Sequence, residues 1–433
     1  MDTIFALATG STRAAIAVIR LSGPQALDAF RALSWKGDIA PRQVQIHTLT
    51  DPQSGKALDQ AVVFYFKAPA SYTGEDLIEF QLHGGRAVVD GVLQALAKIP
   101  GCRMAEPGEF SKRSFENGKM DLTEAEAVAD LIDAETEAQR LQALDQLGGS
   151  LAQLYEGWTE TLTGILAHQE ADIEFPEDDL PKGLSATLQP GIKTLLAEIR
   201  AHLDDGRRGE RLRDGVLIAI LGAPNAGKSS LLNALAQRDA AIVSEEAGTT
   251  RDIIEVHLDL GGYPVILADT AGLRETDNKI EAEGIRRAER LAQKADLKLA
   301  LFDASLPTQD AETLKQVDGR TITVFTKADV AQGKIGLSVS ATTGEGIDSL
   351  LKILTEKISA SFKARTGPVL TRQRHRAALE EAASALERCR EALLPELAAE
   401  DLRLSLRALG RITGRVHVED ILDKIFRDFC IGK

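Results

Sequence analysis

Apolar residues in the first hundred positions alternate with polar ones in short runs, such as residues 15–19 and 61–66. Clusters of glycine, proline and serine separate these runs, as turns separate the strands of a sheet. From residue 119 to about 168 the apolar spacing changes to the period of amphipathic helices, with abundant glutamate and alanine. The pattern therefore predicts an α+β domain followed by long helices.

Helical spacing also flanks a central segment on both sides. An acidic, proline-bearing stretch at 172–181 is predicted to be a loop, after which helical spacing continues to about residue 212 and returns from 372 to 409. Between them, from about 214 to 363, strand-like and helical runs alternate as in a mostly parallel sheet. Because domain termini often lie close together, this order predicts a module inserted into one helical domain. Two independent helical segments are the alternative.

The central segment contains a complete phosphate-binding loop, G-x-x-x-x-G-K-S, at residues 222–229, directly after the apolar run 216–221. Its glycines allow backbone N–H groups to surround phosphates, Lys228 adds a positive charge, and Ser229 offers an oxygen to Mg²⁺. Residues 231–235 are predicted to be helical, with the helix N-terminus facing the same anion. The sequence therefore predicts a nucleoside triphosphate site.

Later motifs indicate that the nucleotide is GTP. The run Thr326-Lys327-Ala328-Asp329 ends a strand-like segment, and its carboxylate can accept two hydrogen bonds from guanine, whereas adenine lacks that donor edge. GTPases usually have asparagine in place of Thr326, so we expect an effect on nucleotide affinity more than on specificity. The strand-like run 336–339 leads into the rest of the base pocket. The GTP-binding residues predicted from the phosphate loop and the guanine motif are Asn225, Ala226, Gly227, Lys228, Ser229, Ser230, Thr326, Lys327, Ala328, Asp329, Ser340 and Ala341. Resemblance to GTPases implies the further residues Ser244, Glu245, Glu246, Ala247, Gly248, Thr249, Thr250, Asp269, Thr270, Ala271 and Gly272.

Composition narrows the function further. A chain of 433 residues should form about two to four domains. The formal net charge of −14 argues against nonspecific nucleic-acid binding by overall electrostatics. No apolar run approaches a membrane span and the N-terminus lacks a secretory pattern, so we expect a cytoplasmic protein without membrane contact. The cysteines Cys102, Cys389 and Cys430 are too few and too scattered for a metal knuckle or a disulfide framework.

Over essentially its whole length the chain resembles the MnmE (TrmE) family of tRNA-modification GTPases. Besides the GTPase motifs, the resemblance rests on the ordered segments SYTGED at 71–76, HGG at 83–85, EPGEF at 106–110, NGKMDL at 117–122 and CIGK at 430–433. It implies a multidomain α/β and α fold. The implied domains are an N-terminal α+β tetrahydrofolate-binding and dimerisation domain at 1–118, a helical domain at 119–212 and 365–433, and an inserted Ras-like P-loop GTPase domain at 213–364.

The resemblance also implies a reaction. With a flavoprotein partner, MnmG (GidA), in a heterotetramer-type complex, the family adds an aminomethyl or carboxymethylaminomethyl group to carbon 5 of the wobble uridine of certain tRNAs. The implied N-terminal domain forms a homodimer and binds 5-formyltetrahydrofolate or a related tetrahydrofolate. The residues that match its folate positions are Arg20, Glu79, Lys119 and Lys433.

Two of the matching side chains also have a chemical argument. A carboxylate at Glu79 would suit the N–H and amino groups of a pterin, with a solvent-facing strand glutamate as the alternative. Cys430 matches the family's terminal cysteine, a candidate for handling the one-carbon unit, and Lys433 and Arg427 would favour its thiolate. A packed thiol near a chain end is the alternative.

GTP cleavage requires a group that replaces the water-orienting glutamine of Ras-type GTPases, because Leu273 follows the 269–272 motif. The resemblance implies a K⁺ ion and dimerisation of two GTPase modules. Asn225, Ser244, Glu246 and Thr249 match the potassium positions, Ser229 and Thr250 the magnesium positions, and Glu281 a catalytic glutamate that orients water. The alternatives are that Asn225 only shapes its loop and that Glu281 is a solvated residue at a helix start.

Other functions remain open at this point. A ribosome-assembly GTPase that binds RNA without modifying it would share the GTPase motifs but would carry a basic appendage, whereas the appendages here are acidic helices and the folate-like domain. A folate enzyme regulated by GTP is a third possibility. Four arginines spaced four apart, Arg403, Arg407, Arg411 and Arg415, would form one helical stripe that contacts tRNA phosphates or, as we favour, is solvated or salt-bridged.

Overall fold

The computed structural model forms two compact units, Met1–Ala129 with Leu409–Lys433, and Asp130–Ala408. It describes the chain except for residues 1, 11, 35–37, 175–183, 239, 243–254, 270–289, 332–335, 363–366, 417–421, 423–424, 428 and 433, and the side chains of 184–187. Two mixed sheets and long helices confirm the predicted multidomain α/β and α class. The domain bounds 1–118, 119–212, 213–364 and 365–433 stay a prediction, because the division into two units does not separate the GTPase sheet from the helices around it.

The first unit contains a six-stranded sheet of order β3-β4-β5-β2-β1-β6. All neighbouring pairs are antiparallel except β1 with β6. The strands are β1 Thr3–Leu7, β2 Ile16–Ser22, β3 Gln45–Thr50, β4 Ala57–Phe66, β5 Leu77–His83 and β6 Cys102–Met104. The helices are α1 Ala26–Leu33, α2 Arg86–Ala97, α3 Glu109–Glu116 and α4 Leu122–Ile132, the last of which continues into the second unit.

The two faces of this sheet differ in what covers them. Alternate strand residues such as Ile19, Val63 and Phe80 are fully buried in one core with Phe30 of α1 and Val92 of α2. The period of two in the strands places the intervening residues on the opposite face. That face keeps exposed apolar side chains, as described below for Ile16 and Ile46.

The second unit contains the remaining helices and a five-stranded sheet of order β11-β10-β7-β9-β8. All pairs are parallel except β8 with β9. The strands are β7 Val216–Gly222, β8 Glu255–Leu260, β9 Tyr263–Asp269, β10 Leu297–Asp303 and β11 Thr321–Thr326. The helices are α5 Glu137–Leu147, α6 Ser150–Glu174, α7 Leu184–Leu203, α8 Arg208–Asp214, α9 Lys228–Ala236, α10 Ala311–Lys315, α11 Ile347–Phe362, α12 Gln373–Glu391 and α13 Pro395–Thr413, the last of which continues into the first unit.

The structure corrects several predicted boundaries. Helix α6 extends to Glu174, three residues into the predicted loop, and the rest of that loop lies outside the described residues. The helix expected to reach residue 212 is interrupted before α8, because Gly206 and Arg207 adopt left-handed conformations. The helix expected over 372–409 is two helices, the second of which starts at Pro395, a residue favoured in the first helical turn.

The predicted strand at 336–339 is not formed as a strand. Gly336 has φ +62°, which is left-handed, and the segment pairs with β11 at a single isolated bridge, Ser338 with Phe325, made by the backbone hydrogen bonds of Leu337 and Val339 to Phe325. Among the helices in the described part of the chain, none combines the length and apolar character that a membrane span requires. The cytoplasmic location stays a prediction.

The arginine stripe is partly salt-bridged. Arg403 pairs with Glu170 at 2.8 Å and with Glu400 at 3.1 Å. Arg407 lies 3.9 Å from Glu400. The salt-bridged interpretation is therefore confirmed for Arg403, and Arg415 lies beyond the end of α13.

Candidate functional site

The predicted GTP motifs meet at one edge of the five-stranded sheet. Strands β9, β7, β10 and β11 are parallel neighbours, so their carboxyl ends lie at the same edge. These ends carry Asp269, the phosphate-loop residue Gly222, Asp303 and Thr326. Ligands of parallel α/β sheets bind at such an edge. The fold therefore assembles in space the motifs that the sequence keeps far apart.

The phosphate loop depends on three residues with positive φ. Gly222 has φ +157°, and a Cβ there would lie 2.9 Å from the carbonyl oxygen of Leu301. Gly227, with φ +85°, precedes α9, and Asn225, with φ +65°, uses a conformation that asparagine tolerates better than most residues. The Asn225 side chain is exposed at the loop surface. Asn225 thus shapes the loop, and its role as a K⁺ ligand stays a prediction.

Lys228 and Ser229 begin the helix that follows the loop. The buried Lys228 donates hydrogen bonds from Nζ to the carbonyl oxygens of Gly222 at 2.7 Å and Ala223 at 2.8 Å. Its ammonium group therefore lies within the loop that would surround the phosphates. The Ser229 hydroxyl donates to Oδ2 of the fully buried Asp269 at 3.1 Å. Two oxygen groups of the kind that Mg²⁺ prefers are thus side by side.

Thr326 connects the guanine motif to the phosphate loop. Its buried hydroxyl lies 2.8 Å from the carbonyl oxygen of Ala226 and 3.2 Å from that of Phe302. A hydroxyl has one proton and can donate to only one of these oxygens at a time, whereas the amide of asparagine has two N–H groups. Thr326 therefore keeps the link between the guanine motif and the phosphate loop, but it donates one hydrogen bond at a time where asparagine could donate two.

The other residues of the guanine motif lie beside the segment predicted to complete the base pocket. The Ala328 N–H donates to the carbonyl oxygen of Val339 at 3.1 Å, which places exposed Asp329 next to buried Ser340 and half-buried Ala341. Lys327 contacts Asp303 at 2.6 Å. Burial acts to raise the pKa of Asp303, but hydrogen bonds from Lys327 and Ser305 outweigh it and hold that pKa below its usual value. Asp303, which the motifs did not reveal, therefore stays ionised and anchors Lys327.

Replacing Thr326 with valine is expected to weaken GTP binding about tenfold, because the Ala226 carbonyl oxygen loses a buried hydrogen bond while the side-chain volume is nearly unchanged. Thr326→Ser, which keeps the hydroxyl, serves as the matched control. Titration of each variant with a fluorescent GTP analogue measures the dissociation constants. Equal affinities for wild type and Thr326→Val would show that the link to the phosphate loop does not support nucleotide binding.

Several predicted residues lie outside the described part of the chain. They are Ser244, Glu245, Glu246, Ala247, Gly248, Thr249, Thr250, Thr270, Ala271, Gly272, Glu281 and Lys433. Their assigned roles stay predictions.

In the first unit, two of the residues matched to folate positions form an ion pair. Arg20 on β2 lies opposite Glu79 on β5, and Arg20 Nη2 is 2.9 Å from Glu79 Oε1. The guanidinium carbon of Arg20 lies 5.2 Å from the ring centre of Tyr72 and 5.7 Å from that of Phe110. The Glu79 carboxylate is 22% exposed, so it is a paired group and not a solvated strand glutamate. Sequence reasoning missed both rings, and the only available signal was the presence of Tyr72 and Phe110 in two of the family motifs.

Lys119 makes its hydrogen bond at a different place from this pair. Its exposed Nζ donates to the carbonyl oxygen of Pro69 at 2.9 Å, and a Cβ at Gly74 would approach the Lys119 side chain at 3.3 Å. The structure therefore places Arg20 and Glu79 together but shows no direct contact between them and Lys119.

The C-terminal tail packs against the same unit. Ile431 pairs with Pro107 as an isolated bridge, and the Gly108 N–H donates to the Cys430 carbonyl oxygen at 3.4 Å. Gly432 has φ +100°, a Cβ there would lie 2.3 Å from the carbonyl oxygen of Leu7, and its own carbonyl oxygen accepts from Arg20 at 3.4 Å. The Cys430 thiol is exposed, so it is not the packed thiol of the alternative interpretation.

Comparison with known proteins gives matches along the chain. The family profile described as GTP-binding protein TrmE N-terminus matches residues 3–119, and that described as MnmE helical domain matches residues 122–430. Two curated relatives named tRNA modification GTPase MnmE align over 100% of this chain and 100% of their own. The protein from Parvibaculum lavamentivorans is 55% identical and that from Rhodospirillum rubrum is 52% identical.

A solved structure of Era with MgGDPNP and nucleotides 1506–1542 of 16S ribosomal RNA is also similar. It is 25% identical over 39% of this chain and 66% of that chain, with a TM-score of 0.26, an overlap that carries no structural conclusion. The family assignment depends instead on the two profiles and on the full-length relatives. Both support the same result, that this chain belongs to the MnmE (TrmE) family of tRNA modification GTPases.

Proposed function

We propose that this chain hydrolyses GTP at the edge of its five-stranded sheet and, with a flavoprotein partner of the MnmG (GidA) type, modifies tRNA. The modification is the addition of an aminomethyl or carboxymethylaminomethyl group to carbon 5 of the wobble uridine. The observation that supports the GTP part is the convergence of Lys228, Ser229, Asp269 and Thr326 at one sheet edge. The full-length relatives named tRNA modification GTPase MnmE support a role in tRNA modification.

At the nucleotide site, each side chain has a distinct task. Lys228 neutralises phosphate charge from within the loop, and the N-terminus of α9 faces the same anion. Ser229, with Asp269 behind it and Thr250, would hold Mg²⁺, which when bound offsets charge on the phosphate oxygens. Asn225, which is exposed at the loop surface, would bind K⁺, with Ser244, Glu246 and Thr249 as further ligands and Glu281 as the group that orients water.

In the first unit, Arg20 and Glu79 would bind the tetrahydrofolate, with Lys119 and Lys433 as further contacts. The Glu79 carboxylate can accept from the N–H and amino groups of a pterin once it exchanges its hydrogen bond with Arg20. Arg20 also donates to Gly432, two residues after Cys430. This contact supports the proposal that the tetrahydrofolate and the Cys430 thiol act together within the first unit.

A homodimer is supported by the apolar side chains that stay exposed on one face of the six-stranded sheet. Ile46 pairs in register with Val62, which pairs with Gln81. Ile46 and Val62 therefore form an apolar pair, next to the polar Gln81, on the face that carries Arg20 and Glu79. Ile46 is 68% exposed, and Ile16 on the same face is 58% exposed. A second copy covering this face would remove that apolar surface from water.

The expected result of a reconstituted reaction tests this function. The full chain, a flavoprotein of the MnmG type, GTP, Mg²⁺, K⁺, 5-formyltetrahydrofolate, a nitrogen donor and unmodified tRNA should yield the modified wobble nucleoside, detected by mass spectrometry, when a hydride donor is also supplied to reduce the flavin, because the formyl carbon must gain two electrons to become the methylene of the product. Because each component has a separate role, omission of folate or flavoprotein, or replacement of K⁺ with Na⁺, should lower the yield about tenfold or more. Sedimentation of the same chain measures its oligomeric state.

Variants of two cysteines in the same unit sharpen this test. Cys430→Ser should remove the modification, whereas Cys102→Ser, at a half-buried position on β6, should leave it intact. An unmodified wobble uridine with all components present would reject the proposed function. If cells lacking the chain also showed a ribosome-subunit defect, the ribosome-assembly GTPase would replace it.

A further inference from the structure

Two chain segments join the GTPase sheet to the helices of its own unit. The first connector, residues 204–215, precedes β7, and the second connector, residues 367–372, precedes α12. The connectors pack directly on each other, because a Cβ at Gly209 would lie 2.2 Å from the carbonyl oxygen of buried Leu370. Groups at this point can therefore contact both ends of the GTPase segment at once.

Asp130, near the end of α4, contacts one arginine from each connector. Its Oδ1 accepts hydrogen bonds from Arg213 Nε at 2.9 Å and from Arg372 Nη2 at 2.6 Å. The Asp130 side chain is only 12% exposed, so water screens these ion pairs weakly. Arg213 also pairs with Asp214. The shared carboxylate holds two guanidinium groups near one another that would otherwise repel; we call these three residues the connector clamp.

Helix α5 supports the connector clamp with three glutamines on one face. Gln139 donates to the Arg213 carbonyl oxygen at 3.0 Å and Gln142 to that of Gly209 at 3.1 Å. Gln146 accepts from the Thr371 hydroxyl at 2.9 Å. The spacing of three and four residues puts all three amides on the same side of the helix. Both connectors are therefore held by side chains of α5.

The same helix reaches the strand that leads to the nucleotide site. The Ala138 N–H donates to the Gly262 carbonyl oxygen at 3.0 Å, in the turn between β8 and β9. Strand β9 then runs to Asp269, which contacts Ser229. The Gln139 amide is fixed at both of its polar atoms, because Oε1 accepts from the Thr136 N–H in the capping box of α5 and Nε2 donates to the Arg213 carbonyl oxygen. Helix α5 thus contacts both connectors and the strand that ends in the candidate Mg²⁺ site.

We propose that Asp130 is a positioning residue that holds the GTPase segment against α5 and the last residues of α4, 130–132, through Arg213 and Arg372. A change at the nucleotide site is then transmitted to the helices of this unit through the connector clamp and α5. The proposal rests on the proposed function only because one of its readouts is the yield of tRNA modification. Asp130 does not belong to the nucleotide-binding motifs, so its replacement separates GTP hydrolysis from its use.

Asp130→Asn in the full chain tests this proposal, because the amide keeps the side-chain size but removes the charge that the two arginines share. Hydrogen exchange measured by mass spectrometry should rise about fivefold in residues 207–213 and 369–372, while exchange in β7 stays at the wild-type level. GTP affinity and basal hydrolysis should stay within about twofold of wild type, and the modification yield in the reconstituted reaction should fall about tenfold.

Two further variants make the result specific. Asp130→Glu keeps the charge and should restore most of the yield and exchange protection. Glu137→Gln is a matched control, because Glu137 forms an exposed pair with Arg140 on α5, and it should leave every readout unchanged.

Three results would overturn the proposal. The first is hydrogen exchange of the two connectors at the wild-type rate in Asp130→Asn, and the second is an unchanged modification yield in that variant. The third is a rise in exchange throughout β7, which would indicate a general structural role. If wild type modifies no tRNA, the proposed function fails, and the connector exchange still decides whether Asp130 holds the GTPase segment.

Discussion

Replacing Asp329 with asparagine is expected to change the nucleotide preference from GTP to xanthosine triphosphate by about 10³-fold or more. In the predicted base pocket, the Asp329 carboxylate would accept from N1–H and the 2-amino group of guanine. Xanthine carries an oxygen at position 2, which repels a carboxylate but accepts a hydrogen bond from an amide. The Ala328–Val339 hydrogen bond keeps exposed Asp329 beside Ser340 and Ala341, where a base would bind. Hydrolysis rates with each triphosphate, measured over a range of concentrations, give the ratio of kcat/KM values.

Asp348→Asn is the matched control for this change. Asp348 is an exposed carboxylate of the same sheet-containing unit and pairs with Arg238 at 3.2 Å. It should keep the wild-type preference for GTP. An unchanged preference in Asp329→Asn would remove Asp329 from the base pocket and leave the identity of the nucleotide undetermined.

Truncation of Lys228 to alanine is expected to lower GTP hydrolysis about 10²–10³-fold, because one preorganised positive charge at the transferring phosphoryl group is lost. The change also removes the hydrogen bonds to Gly222 and Ala223 that hold the ammonium group inside the loop. Release of inorganic phosphate under saturating GTP measures the rate, and circular dichroism checks that the helical content is retained.

Lys352→Ala provides the comparison, since Lys352 is an exposed lysine on α11. That variant should hydrolyse GTP at the wild-type rate. Wild-type hydrolysis by a folded Lys228→Ala variant would contradict the placement of the reaction at this loop.

The Asp329→Asn and Lys228→Ala effects are expected to be large because the local sequence around both residues is specialised for binding GTP. The run 216–221 is apolar on both faces, as a central parallel strand requires, and Gly222 and Gly227 supply conformations that other residues adopt at a cost. Such features are local, so they can be read without knowledge of the fold. One local prediction was wrong: the strand expected at 336–339 is reduced to a bridge at Ser338, and the segment begins at Gly336 in a left-handed conformation that apolar alternation does not reveal.

By itself, the sequence determined the fold class, the phosphate loop, the guanine motif and the family. It did so because hydrophobic periodicity and glycine positions act over a few residues. Only the tertiary structure decided which distant groups meet. Thr326 reaches Ala226 across 100 residues, Arg20 reaches Gly432 across 412, and Asp130 holds Arg213 and Arg372 across 83 and 242. Such pairs form because packing of whole elements brings buried polar groups within hydrogen-bond distance, and no local pattern encodes that choice of partner.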